Sequence, residues 1–184
     1  MRIIAGEWKG RSLHVPRDAA FRPTTDRVKE AVFNILAGRV SWEGTSICDL
    51  YAGSGGLGLE ALSRGARTAT FVERSTSSLA VLQRNIRALG AEQCSTVRRQ
   101  DVDRFARSEA ARYDVVFADP PYAAFSAAQL LDAIASLLRP GGLAVIEHGA
   151  LQPLGTHPLL TAFDERRYGS TTITLFQSLD GEEA

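Results

Sequence analysis

Apolar positions along this chain follow two alternating rhythms. Val28, Ala31, Val32, Ile35 and Leu36 recur at i, i+3, i+4, i+7 and i+8, which predicts a helix capped by Thr25 or Asp26 and ended by Gly38. From residue 45 onward, short apolar runs take over at 46–51, 70–73, 96–99, 115–118 and 143–147. Between them lie stretches of helical spacing. One carries Leu79, Leu82, Ile86 and Leu89 and stops at Gly90; another carries Leu130, Leu131, Ile134, Leu137 and Leu138 and stops at Pro140-Gly141. Near-continuous apolar strands alternating with amphipathic helices require a parallel sheet covered on both faces.

The two ends depart from that rhythm. Residues 2–15 read as two short strands around a glycine-containing turn, followed by a loop punctuated by Pro16 and Pro23. Near the other end, the runs 163–168 and 171–177 meet at Gly169-Ser170, a hairpin added to the parallel sheet. The expected organisation is a basic N-terminal hairpin and loop over 1–24, an α/β domain over 25–179 and a short acidic tail over 180–184.

Composition narrows the class. At 184 residues, with 45% hydrophobic and 23% charged residues, the chain can bury a core without staples and is neither disordered nor collagen-like. Cys48 and Cys94 are expected to be packing thiols, and with three scattered histidines they offer no zinc site. No apolar run is long enough to span a bilayer, so a soluble, cytoplasmic protein without membrane or metal partners is expected. Formal net charge is zero, so a nucleic-acid partner would need a local basic patch. Residues 1–39 supply one, with eight basic residues against four acidic.

The chemistry concentrates at strand ends. Asp49-Leu50-Tyr51-Ala52-Gly53-Ser54-Gly55-Gly56-Leu57-Gly58 follows the first core strand and runs into a helix. Gly53, Gly55 and Gly58 satisfy G-x-G-x-x-G, the dinucleotide spacing. Glu73 ends the second strand, twenty residues after Gly53, where a carboxylate can accept from both ribose hydroxyls. Asp49 stands just ahead of the glycines, where a pyrophosphate would be repelled and a sulfonium nucleoside tolerated. The loop therefore favours S-adenosylmethionine over NAD. After the third strand, Asp101 can accept from an adenine amine with Val102 as apolar contact, or it can cap the next helix.

The fourth strand runs into Asp119-Pro120-Pro121-Tyr122. Two prolines make a stiff loop with free carbonyls. An exocyclic amine on a nucleobase is a poor nucleophile because its lone pair is delocalised into the ring. A carboxylate (Asp119) and a backbone carbonyl (Pro120) accepting its N–H groups would turn that lone pair toward an incoming methyl, with Tyr122 as a stacking plate. His148 and the thiols need no role in such chemistry.

These residues resemble a class I S-adenosylmethionine-dependent N-methyltransferase. The segments 2–11 and 22–34 are similar, more specifically, to the bacterial 16S rRNA guanine-N2 methyltransferases of the small-subunit methyltransferase D family, along essentially the whole chain. One departure is Ala5, where that family commonly has glycine. The resemblance implies a Rossmann-like sheet of seven strands with the last antiparallel, and methyl transfer to a guanine N2 of 16S rRNA, in a small subunit or its assembly intermediate. It implies that the loop from Arg22 to Arg27 closes over cofactor and base, with Thr24 touching the cofactor. Trp8, Lys9, Arg11, Arg22 and Arg27 become candidate RNA contacts, combining a stacking surface with phosphate-seeking charge. Other readings are an N-methyltransferase of DNA bases or of a protein glutamine, where an asparagine replaces Asp119 more often; a non-catalytic nucleoside-binding module that docks on RNA; and an NAD dehydrogenase.

Overall fold

The computed structural model describes residues 1–16, 26–121 and 125–179. Helix α1 (Asp26–Ala37) leads into an alternation of β1 (Ser46–Leu50), α2 (Gly56–Ser63), β2 (Thr68–Glu73), α3 (Thr76–Leu89), β3 (Ser95–Arg99), α4 (Val102–Ser108), β4 (Tyr113–Ala118), α5 (Ala127–Leu137) and β5 (Leu138–Gly149), closed by β6 (Leu160–Tyr168) and β7 (Thr171–Ser178). The strands form one sheet in the order β3-β2-β1-β4-β5-β7-β6. Pairing is parallel from β3 through β5, and β7 runs antiparallel to both β5 and β6. The α/β class, the parallel core and the antiparallel last strand are therefore as expected from the sequence.

Strand pleating sorts the core into two layers. Ile47, Phe71, Val115, Phe117 and Val145 face α1, α2 and α3, whereas Cys48, Leu50, Val72, Val116, Ala118 and Ile146 face α4 and α5. All six of those on the second face are fully covered, which is why the central strands read as unbroken apolar runs.

Two boundaries differ from the sequence reading. Helix α5 ends at Leu137, so Pro140-Gly141 lies inside β5 rather than at a helix stop. The register between Tyr113↔Leu138 and Val115↔Leu143 advances two residues on β4 and five on β5, a bulge that absorbs the proline. At the N-terminus the two expected strands reduce to one antiparallel bridge, Arg2↔Ser12, flanked by backbone bonds from Ile3 N to Arg11 O and from Leu13 N to Met1 O. Ile3 and Leu13 are buried in the layer that holds α1, α2 and α3.

A charged cluster inside that layer fastens the N-terminal segment. Glu60, on otherwise apolar α2, and Lys29, on α1, are both fully buried, with Lys29 Nζ 3.3 Å from Glu60 Oε2. Glu60 also accepts the amides of Ile4 (2.7 Å) and Ala5 (3.0 Å) and the Arg64 Nε at 2.9 Å. Lys29 donates to the carbonyl of Arg2, and burial pulls its ammonium below the usual lysine range despite Glu60. Gly6 is required here: with φ +83 it passes so close that an added Cβ would lie 1.7 Å from the Ser63 carbonyl oxygen.

Candidate active site at the carboxyl ends of β1, β2, β3 and β4

Four neighbouring strands deliver an acidic group to the same edge of the sheet. Register pairs Leu50 with Val72 and with Ala118, and Glu73 with Arg99. The glycine loop after β1 therefore lies between Glu73 and the Asp119-Pro120 turn, with Asp101 two residues past β3. A parallel sheet collects ligands at this edge.

The glycine loop is held from several sides. Tyr51 follows β1 with φ 57, an uncommon left-handed conformation for a side-chain-bearing residue, and burial first, then the neighbouring Asp103, raises its hydroxyl to about 12. Gly53 (φ 54) donates its amide to Glu73 Oε2 at 2.9 Å, and Ser75 N donates to Glu73 Oε1 at 2.7 Å. Gly55 (φ 83) donates to the Ala52 carbonyl at 2.7 Å. Gly58 lets α2 settle onto β2: a Cβ there would come within 2.3 Å of the Phe71 ring. Its amide donates to Asp49 Oδ2 at 2.9 Å.

Asp49 is 3% exposed, and its carboxyl is raised to about 8, by burial above all and also by Glu73, against the lowering effect of the Gly58 amide. Asp101 is exposed, caps α4 by accepting the Asp103 amide at 3.0 Å, and lies 3.9 Å from Arg74. Val102 is 4% exposed in the apolar layer beside Phe105. Asp119 is half-buried and Pro120 buried, directly after the fully buried Ala118. Tyr122, Thr24 and Arg22 lie outside the described residues.

The N-terminal candidates separate. Trp8 is half-buried, with its side chain against the core and its amide donating to Ser63 Oγ at 3.0 Å. Arg11 is exposed, yet its Nη2 donates to the Ala88 carbonyl at 2.6 Å. Lys9 and Arg27 are exposed. Lys29, part of the basic excess counted in the sequence, is buried against Glu60. His148 is 4% exposed and bonds Thr174 Oγ1 at 2.8 Å within the sheet.

The residues present fit a cationic nucleoside. The loop offers no cationic side chain between 49 and 58 to receive a phosphate, while acids ring it from β1, β2, β3 and β4. The glycines at 53 and 55 hold the backbone in conformations that leave this edge without side chains at two positions. Glu73 keeps acceptor capacity beyond its two amide donors. Among the described residues no group of three or more His, Cys, Asp or Glu is placed to hold a metal, and no helix is long and apolar enough to cross a membrane.

Fold and site together define a class I methyltransferase that uses S-adenosylmethionine. The family model described as Conserved hypothetical protein 95 matches residues 1–177, and the chain belongs to that family. It is 35% identical to the Ribosomal RNA small subunit methyltransferase D of Haemophilus influenzae, over 97% of this chain and 94% of that one. It is 41% identical to the protein of the same name from Escherichia coli K12, over 66% of this chain and 60% of that one. The solved Escherichia coli structure named "Putative methyltransferase yhhF" superposes with a TM-score of 0.86 at 33% identity, covering 97% of this chain and 98% of the other.

Proposed function

We propose that this protein transfers the methyl group of S-adenosylmethionine to the exocyclic N2 amine of a guanine in 16S rRNA, within the small ribosomal subunit or an assembly intermediate, in the cytoplasm. The observation that carries this reading is the position of Asp119-Pro120 at the end of β4, one strand away from the glycine loop after β1. The names of the Haemophilus and Escherichia relatives support rRNA as the substrate class.

When bound, S-adenosylmethionine supplies an electrophilic methyl on a good leaving group. Asp119 accepts one N–H of the amine and the Pro120 carbonyl accepts the other, which localises the nitrogen lone pair and aims it at the cofactor. The amine gains the methyl, becomes cationic and releases a proton to solvent. Tyr122 stacks on the base. Glu73 holds the ribose, Asp101 and Val102 the adenine, and Asp49, Gly53, Gly55 and Thr24 the remainder of the cofactor. A guanine in a helix must unstack to reach Asp119. Residues 1–24 are the RNA-binding unit, in which Lys9, Arg11 and Arg22 contact RNA together with Arg27 of α1, and Trp8 braces that surface.

The substrate class is tested by offering labelled S-adenosylmethionine in parallel with unmodified small subunits, naked 16S rRNA, duplex DNA and a protein mixture. Label in an rRNA-containing arm supports the reading; label confined to DNA or protein overturns it.

A further inference from the structure

Asn85 lies on the buried stripe of α3, three residues from Leu82 and four from Leu89, and is fully buried. Its amide is held by two separate parts of the chain. Oδ1 accepts the backbone amide of His14 at 2.9 Å, and Nδ2 donates to the carbonyls of His14 and of Ser54, each at 2.9 Å. These partners fix the orientation of the amide, since only the nitrogen can face two carbonyls. Ser54 stands between the two left-handed glycines of the cofactor loop and is 1% exposed. Its carbonyl is turned to Asn85, and the next amide, Gly55 N–H, is turned to Ala52 O. The peptide at the crest of the loop is thus held at both ends. Leu82, one turn before Asn85, lies where a Cβ on Gly55 would come within 2.5 Å, so α3 presses directly on the loop.

We infer that Asn85 is a positioning residue which couples the N-terminal segment to the cofactor loop, so that docking of residues 1–16 and binding of S-adenosylmethionine reinforce one another. The inference rests on the cofactor assignment above. Its physical basis is that one buried amide serves both elements: if the N-terminal segment lifts, His14 leaves Asn85 with an unmet acceptor and donor, and the amide is free to turn away from Ser54. Coupling of this kind is reciprocal, so the cofactor holds the segment as firmly as the segment holds the loop.

The test is amide hydrogen exchange on the full chain with and without S-adenosylhomocysteine, joined to steady-state kinetics of Asn85→Ala. The coupling predicts that the ligand slows exchange at Ile3, Leu13 and His14 at least about threefold in the wild type, and that Asn85→Ala abolishes this remote protection. It also predicts that the variant raises KM for S-adenosylmethionine about tenfold while kcat at saturating cofactor stays within about twofold, the scale of one lost buried hydrogen bond. Protection confined to the loop and Glu73, with residues 3–14 unchanged, would overturn the inference, and the wild-type measurement decides this even if the variant does not fold. A fall in kcat at unchanged KM would overturn it as well. Failure of the ligand to bind at all would remove the cofactor assignment and the inference with it.

Discussion

The Gly58 amide donates to Asp49 Oδ2 at 2.9 Å, across nine residues that contain the whole glycine loop. Asp49, on β1 and only 3% exposed, thereby fixes the start of α2. Burial raises the Asp49 carboxyl from 3.8 to about 8. In the folded state Asp49 therefore retains a proton that the unfolded chain has released, and its contribution makes stability fall as pH rises from about 4 to about 8. Asn keeps an acceptor for Gly58 without the charge. Asp49→Asn should raise Tm by about 3–8 °C near pH 8, and much less near pH 5, by differential scanning fluorimetry. The same change should weaken S-adenosylmethionine binding, with the wild-type-to-variant affinity ratio growing as pH rises toward 8, because a cationic ligand favours the ionised carboxylate. Taking the ratio cancels titration of the cofactor itself. A ratio that is flat with pH would remove Asp49 from the cofactor site.

In the proposed mechanism Asp119 carries the amine-anchoring step. Asp119→Ala should lower methyl transfer by about 100-fold or more, the scale of removing one preorganised polar group, while S-adenosylhomocysteine affinity changes by less than about threefold. Asp119→Asn, which keeps one acceptor oxygen, should fall between. Tritium transfer and calorimetric titration measured on the same preparations separate the two effects.

The Lys29–Glu60–Arg64 cluster predicts an asymmetry. Glu60→Ala strands a buried ammonium and frees the Ile4 and Ala5 amides, which should cost about 3–5 kcal/mol and lower Tm by roughly 8–15 °C. Lys29→Met leaves Glu60 with Arg64 and two amide donors, so its cost should stay below about 2 kcal/mol. Chemical denaturation of the two variants ranks them; a loss for Lys29→Met as large as that for Glu60→Ala would contradict the asymmetry, and a larger one would show that the ammonium organises the cluster.

Basic residues of the N-terminal segment should divide by their intramolecular partners. Lys9→Ala should reduce the slope of log affinity for rRNA against log salt by about one unit with little change in Tm. Arg11→Ala should shift Tm as well, because its guanidinium holds the Ala88 carbonyl at the end of α3. The comparison needs only filter binding across a salt series and a melting curve for each variant.

The parallel core, the helical stripes and the acids at the strand ends were legible because each depends on local spacing: Glu73 ends one apolar run, Asp119 follows another, and Gly58 stands at the spacing that brings helix and strand together. The N-terminal segment was harder to read. Its fastening relies on Glu60, Lys29 and Asn85, whose partners are 55 to 71 positions away for the two glutamate–amide contacts and the His14 contacts, and sequence distance of that size leaves no periodic mark. A signal did exist. Glu60 interrupts an otherwise apolar helix, and Asn85 falls on a buried stripe, so each polar group demanded a partner that the spacing alone could not name. Pro140-Gly141 misled for the opposite reason, since a helix stop and a strand bulge call for the same residues.

The proposed chemistry depends on a guanine amine held between Asp119 and a sulfonium methyl. Its most direct test is to incubate the protein with labelled S-adenosylmethionine and unmodified small subunits, digest the 16S rRNA to nucleosides and identify the labelled product. N2-methylguanosine, formed by the wild type and reduced about 100-fold or more with Asp119→Ala, is the expected result. Label on a ring nitrogen, on a ribose hydroxyl or on adenosine or cytidine would contradict it.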